Sequence, residues 1–128
     1  MSVIKAIRDA LEGIAKDESV PMGKVYYGQC QEKELKEWNY FVYNRLRTGK
    51  SSNGKDMQTY YQVHIVHEDF IPEGYVEKVI EALESSKDET LRSTSDDINY
   101  NYIFKGKANT NTIIEIATII IYRPRKRC

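Results

Sequence analysis

From Thr112 to Arg123 the chain reads Thr-Ile-Ile-Glu-Ile-Ala-Thr-Ile-Ile-Ile-Tyr-Arg, and Pro124 then breaks it into a short basic tail. Branched side chains at Cβ crowd a helix and fit a pleated sheet, so this run predicts a long strand. It is apolar on both faces, and such a strand must be covered on both sides, by helices of its own chain or by another protein. Only two other segments carry a convincing helical pattern. Two helices cover one face of a sheet, so the sequence points toward assembly.

The first helix is expected from about Ser2 to Lys16, where Val3, Ile4, Ile7, Leu11, Ile14 and Ala15 recur at three- and four-residue steps. Ser2 is placed to cap it, and Pro21 follows its end. Lys24–Tyr27 predicts a short strand closed by Gly28, whereas Gln29 to Glu37 fits a loop or a single helical turn equally. Trp38 to Arg45 predicts a strand with Trp38, Tyr40 and Val42 on one face and Phe41 and Tyr43 on the other. Leu46 to Asp56, rich in turn formers and lysine, predicts a long hairpin loop leading into a strand from Met57 to Glu68. There Tyr61, Val63 and Ile65 oppose Tyr60, Gln62 and His64.

Asp69-Phe-Ile-Pro72-Glu-Gly74 signals the second helix, with Pro72 early in its first turn and a stripe of Val76, Val79, Ile80 and Leu83. The polar stretch Lys87 to Asp97 is expected to be mobile at its centre. Ile98, Tyr100, Tyr102 and Phe104 then alternate with Asn99, Asn101, Ile103 and Lys105, a period-two strand that forms a hairpin with the last one. The expected fold is a single α+β domain over residues 1–128, with a basic tail at 124–128. Its sheet is mainly antiparallel, of four to five strands, with two helices packed on one face. The second face of the last strand, carrying alternate residues among Ile113, Ile119 and Ile121 or Ile114, Ile116 and Ile120, is then expected to need a partner.

Composition excludes several functions. Nineteen basic residues balance nineteen acidic ones, which argues against a protein whose main task is coating nucleic acid. No apolar run approaches the ~20 residues that span a bilayer, and the charged opening Met1–Arg8 lacks the features of a signal peptide. Cys30 and Cys128 form neither a disulfide framework nor a metal pattern. Ten tyrosines stand against three phenylalanines and one tryptophan. Tyrosine suits surfaces that are wet before association and buried after it, although half-exposed strands also favour it.

Catalytic constellations are equally scarce. His64 and His67 lie three apart on a strand and so point to opposite faces; each is expected at a surface or edge. The acidic pairs Asp88-Glu89 and Asp96-Asp97 have no His or Cys beside them, and no Gly-x-Ser-x-Gly is present. Gly49-Lys-Ser-Ser52 resembles a fragment of a phosphate loop, but Asn44 stands where its first glycine belongs. No catalytic, cofactor or metal residue is assigned, and the chain is not expected to be an enzyme. The features left are two basic clusters, Arg45, Arg47, Lys50 and Lys55 at the hairpin and Arg123, Arg125, Lys126 and Arg127 at the end.

In order and spacing the chain resembles the tail terminator family of long-tailed bacteriophages. The likeness rests on the opening helix, Val25-Tyr-Tyr-Gly28, Trp38-Asn-Tyr-Phe-Val-Tyr-Asn-Arg45, Gln62-Val-His-Ile-Val66, the helix Tyr75–Leu83 and the strand Ile116–Arg123. The resemblance implies an α+β subunit of the virion, assembled in the host cytoplasm as a hexameric ring on the last ring of the tail tube. It implies tail tube protein and head connector as partners, DNA passing through the lumen, and no cofactor. On that picture Arg45, Arg47, Lys50, Lys55, Tyr100, Tyr102, Ile119, Ile121, Arg123 and Arg125 are the expected partner contacts. The alternatives are another neck or head-completion protein, and a small module that stacks single-stranded nucleic acid on Trp38, Tyr40, Tyr43, Tyr100 and Tyr102.

Overall fold

The second half of the chain folds around its last strand. The computed structural model describes residues 3–16, 24–28, 39–50, 57–86, 90–94, 98–106 and 109–123. Its elements are α1 (Val3–Ala15), β1 (Lys24–Tyr27), β2 (Tyr40–Lys50), β3 (Met57–Glu68), α2 (Tyr75–Glu84), β4 (Arg92–Ser93), β5 (Asn99–Gly106) and β6 (Asn109–Tyr122). The six strands form one sheet in the order β1-β2-β3-β6-β4, with β5 also paired to β6. The β1–β2 pair is parallel and the others antiparallel. The fold is α+β, with a strand count above the four to five expected.

Period-two alternation assigns the faces. Phe41 and Tyr43 of β2, Val63 and Ile65 of β3, and Ala117, Ile119 and Ile121 of β6 lie opposite one another and share one face. They join Ala6, Ile7, Leu11 and Ile14 of α1 and Tyr75, Val76, Val79 and Leu83 of α2 in the main core. Each fully buried Ile, Leu or Phe in this layer contributes roughly 1.5–3 kcal/mol of transfer free energy. Phe41 stacks on Tyr75 with ring centroids 6.1 Å apart.

The second face carries a smaller cluster of Tyr40, Val42, Val66 and Ile114, with Tyr26 and Ile116 against it. This face, expected to need a partner, is closed in part by the chain itself, while Ile116 and Ile120 stay partly exposed. Ile114 is fully buried within the single chain, and Tyr26 meets Tyr40 edge-to-face at 5.6 Å.

Three local expectations also change. The turn formers at Leu46 to Lys50 do not form a loop, because β2 continues through them, paired as far as Lys50↔Met57 with an irregularity between Arg45 and Arg47. Pro72 precedes the second helix rather than entering it. Its carbonyl accepts the Tyr75 N–H at 3.1 Å, and Gly74 takes the N-cap at φ 81°, a left-handed conformation that favours glycine. The polar stretch after α2 contains Leu91, which is fully buried, and β4, which pairs with the end of β6.

Candidate partner interface

The hairpin of β2 and β3 changes character along its length. Tyr40 to Tyr43 are buried, while Arg45 to Thr48 and Lys50 are exposed. This exposed half of β2 forms an arm held by strand pairing to β3, with Thr48 and Thr59 joined through their hydroxyls at 2.9 Å. The Arg47 guanidinium lies 4.1 Å from the centre of the Tyr60 ring, and Tyr60 meets Tyr122 at 5.8 Å. The side-chain amide of Gln58 donates to the Arg123 carbonyl at 3.2 Å.

Arg45, Arg47, Lys50 and Arg123, read from the sequence as two clusters, thus meet at one end of the sheet. Arg92 joins them, since it pairs with Tyr122 as Tyr122 pairs with Tyr60 and Tyr60 with Arg47. A lone arginine in a polar stretch gave no sequence signal for this. Tyr60 and Tyr122 could have been found from the 4.8 Å neighbour rule only once the register was known.

Tyr100 and Tyr102 are exposed, but on β5 and away from the arm. β5 carries an exposed apolar edge that extends beyond the two tyrosines expected at a partner contact. Tyr102 is 60%, Phe104 55% and Ile103 44% exposed, and Ile113 of β6 stands beside them. Tyr102 donates to the Glu115 carboxylate at 2.9 Å, while the other Glu115 oxygen accepts the Ile71 N–H at 2.8 Å. The nearby carboxylate holds the Tyr102 phenol above its ordinary pKa, first because its neutral O–H is the donor.

Ile119 and Ile121, expected at a partner surface, are fully buried in the main core. Odd positions of β6 face the helices, a choice that the residues alone could not make because both faces are apolar. Lys55, Arg125, Trp38, Cys30 and Cys128 lie outside the described residues. Tyr40 and Tyr43 are buried on opposite faces, so they form no stacking platform with Tyr100 and Tyr102.

The histidines point to opposite faces as expected but are half-buried in β3, an interior strand. His64 Nδ1 lies 2.9 Å from Thr118 Oγ1, and burial lowers the His64 pKa. His67 Nδ1–H donates to the Glu68 carbonyl at 2.8 Å. Among the described residues no three His, Cys, Asp or Glu side chains gather to hold a metal ion, and no helix is long and apolar enough to cross a membrane.

No family model matches this sequence, and no curated protein matches it. A solved structure with 14% sequence identity superposes over 100% of this chain and 99% of its own length, with a TM-score of 0.51. At that identity the likeness speaks to the fold of the whole chain and to nothing finer.

Proposed function

We propose that this protein is a ring-forming virion subunit that caps a phage tail tube, ends its polymerisation and offers the head a joining surface. The observation that carries the reading is β5. It is an eight-residue strand at the sheet margin whose Tyr100, Tyr102, Ile103 and Phe104 are all exposed. A long apolar edge is an aggregation hazard in a protein that stays alone, and it is useful in one whose neighbours complete the sheet. The resemblance in order and spacing to tail terminators supplies the biological setting. The projecting β2–β3 arm supports it as a contact that reaches past the subunit's own core.

Light scattering behind size exclusion over a concentration series, with negative-stain imaging of the peak, tests the reading. Rings of about six subunits with a central hole are expected. A strict monomer at every concentration, with and without tail tubes, would overturn it. A filter-binding titration separates the nucleic-acid alternative, which demands micromolar affinity and a steep salt slope.

A further inference from the structure

Charge on this balanced chain is sorted by position. At the arm, Arg45, Arg47 and Lys50 are exposed, whereas on α1 Lys5 and Arg8 pair with Asp9. Arg47 is held over Tyr60, so much of its side-chain freedom is already lost before any partner arrives.

Elsewhere in the molecule, the lead-in to α2 and β5 enclose a cleft of about 280 Å³. Its surface is more polar than apolar: Glu73 and Glu77 bring two exposed carboxylates and Tyr100 adds an aromatic ring, beside Pro72 and the buried Ile71 and Val76. These are the features that receive an extended cationic side chain. The ring takes the cation's face and the carboxylates accept its N–H groups.

The subunit's own arm cannot supply that side chain. Arg47 sits at the level of Tyr60, and Tyr100 sits at the level of Ala117 and Ile65. Five residues separate Tyr60 from Ile65, roughly 16 Å along the strand, and three strand spacings add about 14 Å sideways. An arginine reaches about 7 Å from its backbone, by the same order of bond geometry. A cation of the arm therefore reaches this cleft only from a second copy.

We infer that the basic arm of one copy docks in the Glu73–Glu77–Tyr100 cleft of a second copy. Every subunit then presents one arm and one cleft, a head-to-tail contact whose repetition closes into a ring when the rotation allows. The inference rests on the ring reading above for closure, although the contact itself does not. It sets the exposed cations of one subunit's arm against the exposed carboxylates of the next subunit's cleft.

Charge reversal tests it. One variant carries R45E, R47E and K50E, and the other carries E73K and E77K. All positions are exposed, and circular dichroism confirms that each variant folds. In sedimentation at low salt each variant alone is expected to fall to the 14.9 kDa mass of a single chain. A 1:1 mixture is expected to recover the mass of the unmodified assembly, because reversed arm then meets reversed cleft at one junction and unchanged arm meets unchanged cleft at the next. Raising salt to 1 M should weaken the unmodified assembly at least tenfold in dissociation constant.

Unmodified mass in either variant alone, no recovery on mixing, or a native protein that stays monomeric at low salt would each overturn the contact. Rings that persist despite reversal would remove this contact and leave the ring reading standing. Open chains that respond to reversal and recover on mixing would do the opposite.

Discussion

The two halves of β2 belong to different parts of the molecule. Tyr40 to Tyr43 lie within both apolar clusters, with Phe41 and Tyr43 under the helices and Tyr40 and Val42 on the opposite face. Four and five residues after Tyr43 the same strand carries Arg47 and Thr48 exposed, paired to β3. Strand pairing continues through both halves, so backbone hydrogen bonding does not distinguish them. What differs is the layer packed against the pairing. The first half is fixed by burial and the second by register, which leaves its side chains available for a partner.

Phe41→Ala gives this comparison its largest test. Phe41 is fully buried and stacked on Tyr75, so its removal leaves a cavity between sheet and α2. A loss of about 3–5 kcal/mol is expected, read from the urea midpoint at unchanged slope. Leu46→Ala in the exposed half should stay within about 0.5 kcal/mol. Equal losses at the two positions would mean that the arm has a core of its own.

Glu115→Gln follows in size. Its two carboxylate oxygens accept from Ile71 N–H and Tyr102 O–H, and thereby tie the α2 lead-in and the β5 edge to β6. The amide keeps one acceptor and turns a donor toward one of those groups, so a loss of about 1–3 kcal/mol is expected. Spectrophotometric titration gives an independent readout. Tyr102 should ionise above the ordinary tyrosine range in the native protein and move back toward it in the variant. Because the folded value is raised, the neutral phenol favours folding at lower pH, and this is lost as pH rises through that value.

The faces of β3 were legible because Tyr61, Val63 and Ile65 alternate with the mixed set Tyr60, Gln62 and His64, whereas Tyr40 to Tyr43 of β2 are apolar on both faces. Both helical stripes were legible for the corresponding reason at period 3.6. Residues of β6 could not be assigned the same way, since six isoleucines leave no polar side to mark solvent. Ile119 and Ile121 were therefore expected at a partner surface that Ile114 does not offer either. Register to β3, a long-range property, makes that choice.

Local composition also misled at Leu46 to Lys50, where a glycine and polar residues in a paired strand resemble a loop. In β4 one buried Leu91 anchors two residues, too short a pattern for any period. At the candidate site, Arg45, Arg47 and Lys50 were legible as a charge cluster. Arg92, the Tyr60 platform and the Glu73–Glu77–Tyr100 cleft were not, because each depends on residues brought together by the sheet.

His64 offers a smaller effect that probes the second face by pH. Burial depresses its pKa, so the folded chain resists a proton that the unfolded chain accepts. The stabilisation of the neutral form is present above the unfolded value near 6.5 and is lost as pH falls toward the depressed folded value. The urea midpoint should therefore drop on moving from pH 7.5 to 5.5, and His64→Gln should flatten part of that drop. An unchanged drop would assign the acid sensitivity to carboxylates elsewhere.

Arg47→Ser has the smallest expected effect on the fold and separates the two halves of β2 most sharply. The guanidinium lies over the Tyr60 ring, 4.1 Å from its centre, but the residue is exposed, so the contact contributes about 0.5–1 kcal/mol. Arg47→Lys keeps the charge and loses the planar stack, and should recover only part of that small amount. Thermal unfolding at low protein concentration measures this cost apart from association. Sedimentation of the same samples at high concentration should show a much larger change, at least tenfold in the subunit dissociation constant. A substitution nearly silent in the monomer and severe in the assembly is what a strand segment fixed by register and free of the core predicts. Parallel losses in both measurements would instead make Arg47 a structural residue and return the arm to the core that Phe41 defines.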